Sequence, residues 1–128
     1  MAEARHRVRV LETEKAGIMR AMEHLAQRFS HTFTQSVVRP SIQKVAQGHV
    51  YLRWRLLGHR GHQPYIDLAS ASGRSLLLTL SGDMQPLLVQ YGREAMALNL
   101  AHSVRQSEWV RLRQFVSDSE SLLSFRDR

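Results

Sequence analysis

The chain has 128 residues, a length typical of a single domain, and its 18 Lys and Arg against 11 Asp and Glu give a net charge of +7. With 43% hydrophobic and 23% charged residues, wholesale disorder is excluded, and no apolar run approaches the roughly 20 residues that span a bilayer. The absence of cysteine excludes disulfides, thiol nucleophiles and iron–sulfur clusters, and the charged first 20 residues lack a secretory signal pattern, so we expect a cytoplasmic protein.

The first predicted element is an amphipathic helix over about residues 8–36. Its apolar residues recur at steps of three and four, which is the spacing of one helical face: Leu11, Ile18, Met22, Leu25 and Phe29. Pro40 predicts a boundary after the first helix, because proline disfavours the α conformation in the residue before it. One short helical turn is predicted over 41–47, with Gly48 as its C-cap.

A β-hairpin is predicted over about residues 49–68. Residues 49–57 alternate strictly between two faces, which indicates a half-buried strand. Gly58 and Gly61 bracket a turn of four or five residues, and a returning strand fits 63–68 with Pro64 at an edge. The apolar run 75–81 fits either a third strand or the start of a helix.

Residues 83–124 are predicted to be mostly helical, with Asp83 as the N-cap. One seam of positions spaced by three and four is apolar except at His102 and Arg105: Met84, Leu88, Tyr91, Ala95, Leu98, His102, Arg105, Trp109, Leu112, Val116 and Leu123. Pairing with the first helix would bury this seam. Whether one helix or two covers the region stays open. The predicted fold is α+β in one domain, 1–128: an N-terminal helix, a central hairpin of two or three strands, and a long C-terminal helical region packing on the first helix.

Most of the net charge lies in the middle third of the chain. Residues 37–82 carry six basic side chains and one acidic one, Asp67. Such clustering is typical of proteins that bind polyanions, although a solvated basic surface can also serve solubility alone.

The predicted hairpin carries the candidate nucleic-acid-binding residues. A two-stranded ribbon fits the major groove of DNA, and an aromatic ring between arginines suits stacking on an unpaired base. The alternative is ordinary cross-strand pairing of Tyr51 and Arg53 with Tyr65 and Asp67. A winged-helix arrangement, with 40–47 as recognition helix and 49–68 as wing, is a further alternative. The candidates are Arg53, Arg55, Arg60, Tyr51, His59, His62, Arg39, Lys44 and Arg74.

No motif of an enzyme or a metal site occurs in the sequence. HExxH, GxSxG, the P-loop and GxGxxG are all absent. His59 and His62 have the spacing of half a metal site, but two histidines alone are weak zinc ligands. We expect His102 to be a satisfied core histidine. The sequence therefore predicts no catalytic residue, no metal and no cofactor.

The string Gly48-His49-Val50-Tyr51-Leu52-Arg53-Trp54-Arg55, followed by Ala97-Leu98-Asn99-Leu100 and His102-Ser103, resembles an uncharacterised family of small proteins encoded on bacterial integrating conjugative elements. The resemblance covers about residues 48–105. It implies a context rather than an activity: a bacterial mobile element, and DNA transfer or its control.

Charge and pattern together predict a non-enzymatic nucleic-acid-binding protein, an accessory or regulator of a mobile element, that contacts phosphates through a basic hairpin. The alternative is a protein-interaction module, such as a small structural subunit or an inhibitor of a larger ribonucleoprotein complex. In that case the helical seam pairs with a partner protein or a second copy, and the arginines face an acidic protein surface. The sequence leaves DNA and RNA equally open as partners.

Overall fold

A computed structural model describes residues 1–58 and 64–126. The elements are two long helices, α1 (Ala2–Thr32) and α3 (Met84–Arg126), a short helix α2 (Ala71–Leu78), and three strands, β1 (Val38–Lys44), β2 (Val50–Leu56) and β3 (Tyr65–Ile66). The helix α3 packs along α1, and the antiparallel sheet packs against both helices. The predicted α+β fold is therefore confirmed. Within the described ranges, no helix has the length and apolarity needed to cross a membrane.

The first helix runs from Ala2 to Thr32 rather than over the predicted 8–36. It begins earlier than its apolar pattern because ion pairs of Arg5 with Glu120 and Arg7 with Glu108 fix its first turns on α3. It ends earlier because Phe33 leaves the helical conformation, and the Phe33 ring then stacks on Phe29 with centroids 4.6 Å apart.

The C-terminal region is a single helix of 43 residues. Its predicted seam faces α1, and Leu88, Tyr91, Ala95 and His102 are buried there. One turn further on, Arg105 of the seam forms an ion pair with Glu14 at 2.9 Å. The next residue, Gln106, is buried at this level in place of Arg105. The seam is therefore buried within the chain as far as His102, whereas Leu123 near its end is exposed.

The predicted helical turn over 41–47 is wrong, because β1 occupies most of that segment and pairs with β2 along its whole length. This strand also removes the recognition helix of the winged-helix arrangement. Only a single 3₁₀ turn, Ala46–Gly48, separates the two strands.

Pro40 lies inside β1 without breaking the sheet. The Leu57 N–H donates to the Val37 carbonyl at 2.8 Å, and the Val45 N–H donates to the His49 carbonyl at 2.9 Å. The ladder to β2 therefore uses the odd-numbered residues of β1, because antiparallel bonding alternates along a strand. The nitrogen of Pro40 points away from β2, so the missing N–H removes no ladder bond from this edge strand.

The predicted hairpin is confirmed, but its returning strand is short. The strand β3 pairs only with Trp54 and Arg55 of the central strand β2. Beyond this point the side chain of Asn99, on α3, takes the place of a strand: it accepts the Leu52 N–H at 2.7 Å and donates to the Leu52 carbonyl at 3.0 Å. A side-chain amide has the same donor and acceptor as a backbone amide, so Asn99 satisfies the edge of β2 that β3 leaves open.

Replacing Asn99 with alanine is expected to lower the free energy of unfolding by about 1–3 kcal/mol, because the Leu52 N–H and carbonyl lose their partner. Urea denaturation measures the loss, and hydrogen exchange should show faster exchange of the Leu52 amide. Gln90→Ala, on an exposed position of α3, is the matched control. An Asn99→Ala protein with unchanged Leu52 protection would contradict this role.

The ambiguous run 75–81 lies largely in the helix α2. The side chain of Ser70 caps this helix by accepting the Gly73 N–H at 3.2 Å. A Cβ atom at Gly73 would lie 2.5 Å from the Asp67 carbonyl oxygen, so only glycine lets the first turn of α2 approach the chain after β3 so closely.

Candidate nucleic-acid interface

The alternation of β1 and β2 gives the sheet two distinct faces. The inner face packs on the helices through Val38, Pro40, Val50, Leu52 and Trp54, all buried. The opposite face, here called the outer face, carries half-buried and exposed side chains. Its residues are Arg39, Ser41, Gln43, Tyr51, Arg53, Arg55 and Tyr65.

Three arginines and two tyrosines dominate the outer face. The register places Arg39 directly opposite Arg55 on the neighbouring strand. Arg55 lies over the Tyr65 ring, 5.4 Å from its centroid, and donates to the Tyr65 hydroxyl at 3.1 Å. Arg53 lies 6.0 Å from the Tyr51 centroid and 5.4 Å from the Tyr65 centroid. These cation–π contacts hold guanidinium groups beside the half-buried Tyr51 ring and the exposed Tyr65 ring.

The cross-strand pairing that the sequence left open is found only in part, because Arg53 lies over the Tyr65 ring but β3 ends before Asp67. Tyr65 lies opposite Arg55, and β3 ends at Ile66. Asp67 is therefore beyond the strand and does not pair with Arg53 across the ribbon.

The arginines fall into two electrostatic groups. Those that join the long helices are neutralised, as in Arg28 with Glu94 and Arg7 Nε with Glu108 Oε2 at 2.6 Å. By contrast, no carboxylate of residues 1–58 or 64–126 forms an ion pair with Arg39 or Arg53. At Arg39 and Arg53 the outer face thus carries positive charge that no carboxylate of the described residues neutralises.

The predicted site residues separate in the structure. Tyr51, Arg53, Arg55 and Arg39 come together on the outer face. Lys44 ends β1 on the other face of the strand, and Arg74 is exposed on α2, away from the sheet. His59, Arg60 and His62 lie outside the described residues. Tyr65 belongs to the face but was not among the predicted site residues, although its alternation in the returning strand was a usable signal.

Comparisons with protein-family models, with curated proteins and with solved structures give no match for this chain. Functional inference therefore depends on the chemistry of the face itself. Guanidinium groups bind phosphate in a bidentate manner, and tyrosine rings stack on bases. In the part of the chain that the structure covers, no three His, Asp or Glu side chains are placed to hold a metal ion.

A groove of about 520 Å³ adjoins the outer face along β2. Tyr51, Arg53 and Tyr65 line its mouth, while Leu88 and Met96 of α3 supply apolar walls. The volume lies within the range of small-ligand pockets, about 300–1,000 Å³. The groove therefore offers a planar ring, such as an unpaired base, apolar surface directly beside Arg53.

A second cavity, of about 370 Å³, lies at the other end of the inner face. It is called the polar cavity here, and its residues are Glu12, Lys15, Ala16, Met19, Lys44, Gly48, Val50, His102 and Gln106. His102 is buried as predicted, with 2% exposure, but its Nδ1 has no hydrogen-bond partner among the described residues. Burial lowers the pKa of His102, and the nearby Lys15 and His49 lower it further. Burial also lowers the pKa of Lys15.

The lowered pKa of His102 predicts that acid destabilises the fold. Between that lowered pKa and the ordinary value of about 6.5, the unfolded chain binds a proton that the folded chain does not. The free energy of unfolding should therefore fall as the pH falls through about 6.5. Urea denaturation from about pH 8 to pH 5 should show a shallower dependence in His102→Gln than in the wild type. Identical pH dependence of the two proteins would contradict the prediction.

Proposed function

We propose that this chain is a non-enzymatic nucleic-acid-binding protein whose outer face binds single-stranded DNA or RNA. The observation that carries the proposal is the set of arginines on that face, of which Arg39 and Arg53 have no carboxylate partner among the described residues. The register places Arg39 opposite Arg55, so both arginines belong to the same stretch of the outer face.

The geometry favours a single strand over a duplex. The inner face of β1 and β2 packs on the helices, so Arg53 and Arg55 lie on the outward side of a packed sheet rather than on a protruding two-stranded ribbon. A sheet face that carries aromatic rings is how several RNA-binding modules stack unpaired bases. From Tyr51 to Arg55 the face extends about 13 Å, at about 3.3 Å per residue, which suits two or three bases.

The proposed biological setting is a bacterial mobile element, where the chain acts as an accessory or regulator. This part of the proposal rests on the resemblance in residues 48–105 alone.

Fluorescence anisotropy with labelled single-stranded DNA, single-stranded RNA and duplex DNA tests the proposal. Single strands should bind more tightly than duplex, and the logarithm of the association constant should fall by about 0.7 per phosphate contact for each tenfold rise in salt. Titrations at about 50 mM and about 200 mM salt measure this slope. Absence of binding to all three at the lower salt would refute nucleic-acid binding and favour an acidic protein surface as the partner of the arginines.

A further inference from the structure

The polar cavity is built by a fixed hydrogen-bond network. Gln106 is only 3% exposed; its Oε1 accepts from Lys15 Nζ at 2.9 Å, and its Nε2 donates to the Gln47 carbonyl at 2.8 Å. Lys15 Nζ also lies 3.9 Å from the centroid of the Trp109 ring. The Trp109 indole N–H in turn donates to Glu12 at 3.1 Å. The Lys15 ammonium is thus held at a defined place on the cavity wall.

The backbone beside the cavity adopts an uncommon conformation. Gln47 and Gly48 have consecutive positive φ angles of 63° and 77°. The φ of 77° at Gly48 favours glycine, and a Cβ there would also lie 2.7 Å from Gln106 Nε2. Left-handed backbone at a non-glycine residue is a strained feature that tends to cluster at functional sites.

Several polar groups of this cavity have unused bonding capacity. An ammonium has three donors, and Gln106 takes only one of those on Lys15. Lys44 is exposed and forms no ion pair with any carboxylate in 1–58 or 64–126. His102, which lines the cavity, is 2% exposed with an unpartnered Nδ1. Buried polar atoms without protein partners are rare, and an ion or a water at the site is one of their standard explanations.

We propose that the polar cavity binds a small organic monocarboxylate. Its carboxylate contacts the ammonium groups of Lys15 and Lys44, and its apolar part lies against Met19 and Val50. The lining favours a ligand with one negative charge, because it contains two lysines and a single carboxylate, that of Glu12. A dianion would meet the Glu12 carboxylate without a matching cation, so a single negative charge fits best.

The site is independent of the proposed nucleic-acid interface. Lys44 and Val50 are opposite each other on the inner side of the β1–β2 pair, whereas the arginines and tyrosines lie on the outer face. Failure of one proposal therefore leaves the other standing.

Titration of the ¹⁵N-labelled full chain with benzoate tests the proposal, with benzyl alcohol as the uncharged control. Benzoate should cause saturable shifts at the Gln47 and Gly48 amides and at the Gln106 side chain, with a Kd in the millimolar range or below, and benzyl alcohol should not. Lys44→Gln should raise the Kd about tenfold. Lys44 has no structural partner among the described residues, so this variant is expected to fold.

Arg20→Gln, which removes one exposed positive charge from α1, is the matched control and should leave the Kd unchanged. An absence of saturable shifts with benzoate would overturn the proposal and indicate that water fills the cavity. Equal Kd values for wild type and Lys44→Gln would also overturn it, because binding would then be elsewhere or non-specific. Equal shifts with benzyl alcohol would show that the cavity binds apolar molecules rather than anions, and this result would also overturn the proposal.

Discussion

Replacing Arg39, Arg53 and Arg55 together with alanine is expected to weaken single-strand binding about 100-fold at about 0.1 M salt. Each phosphate contact contributes about 0.7 to the salt exponent on single strands, so three contacts contribute about 2, or a factor of about 100 relative to 1 M salt. The slope of log K against log salt should flatten by the same amount of about 2. Anisotropy titrations across a salt series measure both quantities.

A control triple variant distinguishes binding at the outer face from a general effect of net charge. Replacing Arg9, Arg20 and Arg111 with alanine also removes three positive charges, but from exposed positions on the helices. None of these three arginines has an ion-pair partner in the described ranges. This variant should keep most of the affinity. Equal losses in the two triple variants would show that net charge, and not the outer face, attracts the nucleic acid.

Replacing Phe29 with alanine is expected to lower the free energy of unfolding by about 3–5 kcal/mol. Phe29 of α1 is 1% exposed and lies where this helix meets α3 and the sheet. It stacks on Phe33, and its ring meets Trp54 of β2 and Tyr91 of α3 edge-on at 5.2 and 5.4 Å. Alanine removes these contacts and leaves a cavity where both helices and the sheet meet.

Phe115→Ala is the matched control for that loss. Phe115 lies on α3 with 54% of its surface exposed, so its truncation should change the free energy of unfolding by less than about 0.5 kcal/mol. Urea denaturation followed by circular dichroism measures both variants. Comparable losses for the two phenylalanines would mean that the core is not centred on Phe29.

Periodicity predicted the elements that have one buried face. The alternation from His49 to Leu57 marks β2 because its inner residues pack on the helices while its outer residues meet solvent. The seam spaced by three and four marks α3 for the same reason. The cap at Ser70 was a local signal for α2 that the apolar run after it obscured.

Other elements depend on partners distant in the sequence. Pro40 indicated a break, and only the edge position of β1, with its ladder on the odd-numbered residues, explains why proline is tolerated. Asn99 completes the edge of β2 from 47 positions away, and no local pattern shows this. The same limit applies to the site. Alternation predicted Tyr51, Arg53 and Arg55 on one face of β2. The position of Arg39 opposite Arg55 could not be predicted, because the sequence did not indicate β1.

The pairing of α1 with α3 also determines the order in which the protein can fold during its synthesis. The ion pair of Arg5 with Glu120 and the hydrogen bonds of Arg7 with Glu108 join residues more than 100 positions apart. Roughly 90 residues separate the end of α1 from the end of α3, which takes about 5–20 s at the usual synthesis rate of about 5–20 residues per second. Until Tyr91 of α3 has been synthesised, the Phe29 ring lacks its edge-on partner on that helix, so the core cannot close around it.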